Sequence, residues 1–230
     1  MKENNAVPVI TIDGPSGTGK GTLCYKLANH LHWHALDSGA IYRVLAFAAR
    51  EKNIAFNKLD QLVTLAGQLN LKFEYDAEPH VMLEGKSITE AIRSEQCAQD
   101  ASKIAAIPEI RQALLMRQRA FASLPGLVTD GRDMGTVVFP DAIVKIYLDA
   151  SVEERAKRRY LELKEKGIDV SLPGVVEGLK QRDARDSARS SSPLRPAVDA
   201  IHIDTTGLTI AQVFDSVLKL VEIRRLMAEG

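Results

Sequence analysis

The feature that most constrains this chain lies near its start. An apolar, β-branched run, Val9-Ile10-Thr11-Ile12, inside residues 7–13 breaks at Gly14-Pro15-Ser16-Gly17-Thr18-Gly19, and after Lys20 the apolar positions Leu23, Leu27, Ala28 and Leu31 recur at helical spacing. A buried strand, a glycine turn and a helix in that order fit G-x-x-x-x-G-K, where inward-pointing backbone N–H groups and the positive end of the helix dipole surround a nucleotide's phosphates. Lys20 is then placed to reach the β- and γ-phosphates. An ordinary glycine turn needs neither the lysine nor the strand and helix on its two sides. The expected phosphate-binding residues are therefore Gly14, Pro15, Ser16, Gly17, Thr18, Gly19, Lys20, Gly21 and Thr22.

The position after the lysine usually carries a hydroxyl that ligates magnesium. Here it is Gly21, with Thr22 one place later. Mg²⁺ keeps several waters readily, so a site with few protein ligands is expected and no residue is assigned as a firm direct metal ligand.

Asp37-Ser38 precede a second helical pattern over residues 41–49, so the opening reads β, loop, α, loop, α. Near-continuous apolar runs at residues 126–130, 142–148 and 200–203, separated by helical stretches, predict a parallel sheet covered on both faces. Residues 71–75 and 80–84 alternate instead, and the turn-prone segment 76–79 joins them, which predicts a small antiparallel insert.

Lys plus Arg and Asp plus Glu both number 30, so no global field draws the chain toward nucleic acid or a membrane surface, and neither is an expected partner. No apolar stretch approaches the roughly 20 residues that span a bilayer, and no apolar run at the start resembles a signal peptide. Cys24 and Cys97 match no metal or redox spacing, and a reducing cytoplasm is the expected location. Residues 152–189 are densely charged, with Arg155, Lys157, Arg158, Arg159, Lys164, Lys166, Lys180, Arg182, Arg185 and Arg189 interleaved with acids. Such a run reads as a solvated helical hairpin or, beside a phosphate loop, as arginines that close over polyphosphate. A GTPase switch would want Asn-Lys-x-Asp, which the sequence lacks.

Gly14 to Thr22, with Gly-Thr after the lysine, resembles the phosphate loop of nucleoside monophosphate kinases. Leu36-Asp37-Ser38-Gly39-Ala40-Ile41-Tyr42-Arg43, Asp130-Gly131-Arg132-Asp133-Met134-Gly135-Thr136 and Arg182-Asp183-Ala184-Arg185-Asp186 resemble bacterial cytidylate kinases, which phosphorylate CMP and dCMP. The similarity runs from about Val9 to the C-terminal helix and includes the insert after Leu65. It implies an α/β fold: a three-layer P-loop kinase core with a parallel sheet, an enlarged monophosphate-binding insert carrying a small antiparallel sheet, and a helical lid. Within a single unit 1–230, the core takes residues 1–40, 106–152 and 194–230, the monophosphate-binding part 41–105 and the lid 153–193. ATP as donor, Mg²⁺, CMP or dCMP as acceptor and a monomeric state are implied with it.

The resemblance also implies roles residue by residue. Ser38, Arg43 and Arg132 match the ligands of the acceptor phosphate, and the planar guanidinium fork suits two phosphate oxygens. Asp133 and Arg111 match the base-reading positions, Ser102 a further base contact, Asp186 the ribose contact, and Arg182 and Arg189 further ligands. Arg155, Arg158 and Arg159 fall on the lid over ATP, joining Lys20 and Arg132 as the expected catalytic cations. Asp130 either orients the acceptor or a magnesium-bound water, or caps a strand end. Tyr42 and Trp33 read as packing residues. Cytosine offers a donor at N4 and acceptors at N3 and O2, the complement of a carboxylate with a guanidinium. Uracil reverses that polarity and would leave the carboxylate facing a carbonyl, so cytosine is expected to win.

Overall fold

The computed structural model describes residues 7–75 and 79–229. The expected turn at 76–79 lies, apart from Pro79, outside them. In chain order the elements are β1 Val9–Asp13, α1 Lys20–Leu31, β2 His34–Asp37, α2 Ser38–Glu51, α3 Leu59–Gln68, β3 Leu71–Tyr75, β4 Pro79–Leu83, β5 Lys86–Ser87, α4 Thr89–Ile92, α5 Glu95–Ile104 and α6 Pro108–Arg119. They continue with β6 Leu127–Gly131, a π-helical turn Met134–Val138, β7 Val144–Asp149, α7 Val152–Glu165, α8 Leu172–Ser187, β8 Ile201–Asp204 and α9 Ile210–Glu229. The chain divides into two compact units, Met1–Ala35 with Ala122–Gly230, and Leu36–Phe121.

The first unit is built on a sheet of order β2-β6-β1-β7-β8. β1 pairs in parallel with β6 (Val9 opposite Leu127 through Asp13 opposite Gly131) and with β7 (Ile10 opposite Val144 through Asp13 opposite Tyr147), and β7 pairs in parallel with β8. Every residue of β1 and β6 is buried. Because successive strand side chains point to opposite faces, both faces of these strands are covered, as their near-continuous apolar runs predict. α1 buries Leu23, Cys24, Leu27 and Ala28, and full burial of each leucine contributes about 1.5–3 kcal/mol. α9 turns Val213, Val217 and Val221 inward at i, i+4, i+8 spacing.

Two strands escape the sequence reading. β2 is four residues long with polar ends, His34 and Asp37, and reads as loop. Its entry is fixed by His34 N–H donating to Gly126 O at 2.9 Å, where Trp33 packs so closely on Gly126 that a Cβ there would sit 2.3 Å from the indole. β5 is two residues and carries no periodicity.

The second unit holds α2 to α6 and the three-stranded sheet β3-β4-β5. Its antiparallel hairpin pairs Leu71 with Leu83 and Phe73 with Val81, in the insert where alternation predicts it. Ile41, Val44 and Leu45 of α2, Leu62 of α3 and Ile104, Ile110 and Leu114 of α5 and α6 form its core, all essentially without exposure. The buried Tyr42 belongs to the same packing.

Candidate active site

Ligands of open parallel sheets bind outside the carboxyl ends of the strands. In the first unit those ends carry Asp13, Gly131 and Asp149 with the loops that follow them. The loop after β1 is shaped by glycines whose φ angles are 149° at Gly14, 84° at Gly17 and 88° at Gly19, a region that L side chains rarely enter. Gly14 is also required for space, since a Cβ there would lie 2.1 Å from Leu148 O. Thr18 Oγ1 and Lys20 Nζ both donate to Pro15 O, at 3.1 and 3.0 Å, so the buried lysine folds back across the loop that it closes. Gly19 gives α1 no side-chain cap, and its first turn has no acid. The positive end of α1 is thus kept for an anion.

The loop after β6 carries Arg132 and Asp133. Asp130, Asp133 and the upstream Asp13 are all buried carboxylates. Arg132 donates through Nε to Asp186 Oδ2 at 2.8 Å and through Nη1 to Gly131 O at 3.2 Å, and Asp186 also takes the guanidinium of Arg189. Burial alone would raise the Asp186 carboxyl, but Arg132, Arg189 and Arg182 together hold it below its ordinary value. Burial likewise works against the charge on Arg132, and Asp186 reverses it, lifting the guanidinium above its usual value. The expected phosphate ligand and the expected ribose ligand are therefore locked to each other in one buried charge network.

Asp13 was not singled out by sequence reasoning. Its Oδ1 accepts from Met134 N–H at 2.9 Å and its Oδ2 from Gly135 N–H at 2.8 Å, pinning the π-helical turn behind Asp133. Burial pushes its carboxyl up to about 6 despite those two hydrogen bonds.

A Cβ built on Gly21 would lie 3.9 Å from Asp130 Oδ1, so the open side of the residue lacking a hydroxyl faces a carboxylate. Among the described residues there is no group of three or more His, Cys, Asp or Glu side chains that could hold a metal ion. One carboxylate beside a phosphate loop fits an ion held mostly by phosphate oxygens and water.

The hairpin of α7 and α8 separates its arginines by what each touches. Arg155 is buried, donating to Ala150 O at 3.0 Å, to Ser16 O at 3.1 Å and to Asp183 Oδ2 at 2.7 Å. Arg182 reaches Ser16 Oγ at 3.3 Å, so both grip one residue of the phosphate loop. Arg158 turns away to Thr205 Oγ1 and O at 3.2 and 2.6 Å and to Leu208 O at 3.3 Å, while Arg159 pairs with Glu162 at 2.9 Å. Thr205 in turn donates toward Asp149 O at 3.0 Å. Charge patterning along α7 cannot tell these partners apart, because Thr205 and Ser16 are distant in sequence.

The second unit carries Ser38, Arg43, Ser102 and Arg111. Asp37 caps α2 by accepting from Ala40 N–H at 2.9 Å and pairs through its other oxygen with Arg43, orienting that guanidinium. Ser38 begins the same helix and is buried. Arg111 is buried with its guanidinium 5.4 Å from the centre of the Tyr42 ring and donates to Ala105 O at 3.2 Å. Tyr42 thus supports an expected base-reading arginine as well as packing. Ser102 is buried on α5, and its Oγ has no hydrogen-bond partner among the described residues.

The family model described as cytidylate kinase matches residues 10–223. A cytidylate kinase of Nitrosococcus oceani is 57% identical, covering 92% of this chain and 95% of that protein. One from Pseudomonas syringae pv. tomato is 54% identical, covering 94% and 96%. One from Shewanella denitrificans is 52% identical over the same shares, 94% and 96%.

Proposed function

The chain belongs to the cytidylate kinase family, and from that premise we propose that it phosphorylates CMP and dCMP to CDP and dCDP at the expense of ATP, with the roles below. The observation that carries the reading is the junction of two loops at the carboxyl ends of paired strands: a glycine loop closed by a buried lysine, and a turn presenting a partly buried Arg132 beside a buried Asp133.

The loop from Gly14 to Thr22 holds the ATP phosphates, with Lys20 swinging from Pro15 O onto the β- and γ-oxygens. Arg132 leaves or shares Asp186 to take the acceptor phosphate, helped by Ser38 and Arg43. Asp133 accepts from cytosine N4, with Arg111 and the unsatisfied Ser102 hydroxyl as further base contacts. Asp186 takes the ribose hydroxyls, while Arg182 and Arg189 add charge. The attacking oxygen belongs to a phosphate monoester whose second pKa is about 6, so it is already anionic and needs no general base. Alignment and electrostatic stabilisation of a loose transition state then carry catalysis, and guanidinium groups with Lys20 supply both. Arg155 and Arg182, which hydrogen-bond Ser16 of the phosphate loop, fit this work better than Arg158 and Arg159. Mg²⁺ belongs to the same reading, held chiefly by ATP oxygens near Asp130, where it would neutralise phosphate charge. So do a cytoplasmic setting and a monomeric state. Among the described residues no helix is long and apolar enough to cross a membrane.

Coupled measurement of ADP release across CMP, dCMP, UMP, AMP and GMP tests the reading. CMP and dCMP are expected to dominate, and a preference for UMP or AMP would refute it.

A further inference from the structure

We propose that Asp13 is a positioning residue for the acceptor site: its carboxylate holds the turn that aims Arg132 and Asp133, and thereby sets cytosine selectivity. The inference rests on the proposed roles of those two residues. Asp13 is the last residue of β1 and precedes the glycine loop, yet its side chain faces the other functional loop. Both oxygens accept backbone N–H groups, from Met134 at 2.9 Å and Gly135 at 2.8 Å, the residues directly after Asp133. Two acceptors on one rigid plane fix the orientation of successive peptides, which a single acceptor cannot do.

The turn has little other freedom. A Cβ on Gly135 would lie 2.8 Å from Thr11 Oγ1 and 3.2 Å from the Lys145 side chain, so this backbone sits hard against β1 and β7. Sequence proximity also matters, because any slip of Met134 moves Asp133 directly. A buried anion is costly unless it is paired or fully hydrogen-bonded, so a carboxylate at this position needs its two donors. The groups facing it are Arg132 and Asp133 from the turn and Tyr147 from β7, while β6 presents only Gly131 opposite it. Protonation removes one acceptor, and burial brings that event up to about 6. The turn should therefore loosen on the acid side of neutrality.

The test compares Asp13→Asn with wild type. Asparagine keeps the shape but offers one acceptor and turns N–H against N–H at the other. The expected result is a fall of about tenfold or more in kcat/KM for CMP and a loss of about tenfold in the CMP over UMP ratio, with KM for ATP within about twofold. Unchanged selectivity and CMP kinetics would overturn the proposal. Wild-type protein without CMP gives a second arm that neither a folding failure nor the substrate's own phosphate ionisation can obscure: the Met134 and Gly135 amide resonances should titrate together with a midpoint near 6. Met134 and Gly135 amide shifts that stay flat while the Asp13 carboxyl itself titrates would also overturn it. Asp133→Asn separates the two levels. If it abolishes cytosine preference while Asp13→Asn does not, the positioning role alone falls; if it leaves the preference intact, the site reading falls and takes this inference with it.

Discussion

Replacing Asp186 by asparagine probes the buried charge network on which the proposed acceptor site depends. The carboxylate is 1% exposed and serves Arg132, whose side chain is 13% exposed, and Arg189, at 4%. Asparagine preserves volume but takes from two nearly dry guanidinium groups the carboxylate that each hydrogen-bonds, and breaking a buried pair from one side costs about 3–5 kcal/mol. For a chain of this size each kcal/mol is worth roughly 2–4 °C in Tm, so a drop of roughly 6–20 °C is expected in thermal unfolding. The sign of the pH dependence is fixed by the direction of the shift. The folded carboxyl lies below its ordinary value of 3.8, so its contribution is present above that value and is lost as pH falls through the lower folded one. The gap between variant and wild type should stay level near neutrality and close only in strong acid. A loss under about 1 kcal/mol, or a gap that closes between about pH 5 and 7, would refute the network argument.

Other substitutions separate chemistry from scaffolding. Lys20→Met should lower kcat about a hundredfold or more with Tm little changed, checked by ADP release and calorimetry, since it removes a transition-state cation. Gly14→Ala forces a Cβ to 2.1 Å from Leu148 O in a left-handed backbone, and thermal unfolding should show a loss of about 2 kcal/mol or more. Arg158→Ala should cost about 1–3 kcal/mol through its orphaned partners at Thr205 and Leu208. If it instead abolished turnover at unchanged Tm, its assignment as a strap on the segment between β8 and α9 would be wrong.

What the sequence made legible is what local spacing encodes. The phosphate loop needs strand, glycines, lysine and helix within a few residues, and β1, β6, β7 and β8 declare themselves by near-continuous apolar runs. Short elements without periodicity, such as β2 and β5, do not. Nor does the π-helical turn Met134–Val138, whose shape is imposed by two hydrogen bonds to Asp13, far away in sequence. The same limit applies to the lid arginines. Arg155, Arg158 and Arg159 are alike as charges on α7, and only the folded partners Ser16, Thr205 and Glu162 distinguish them. Asp13 offered one missed signal, an ionisable residue ending an otherwise apolar buried strand.

The most direct test of the central claim is a crystal structure with CMP bound. The account predicts the cytosine amino group donating to the Asp133 carboxylate and the phosphate on the Arg132 guanidinium, drawn from or shared with Asp186. A base that avoids Asp133, or a phosphate that leaves Arg132 paired to Asp186 alone, would contradict it.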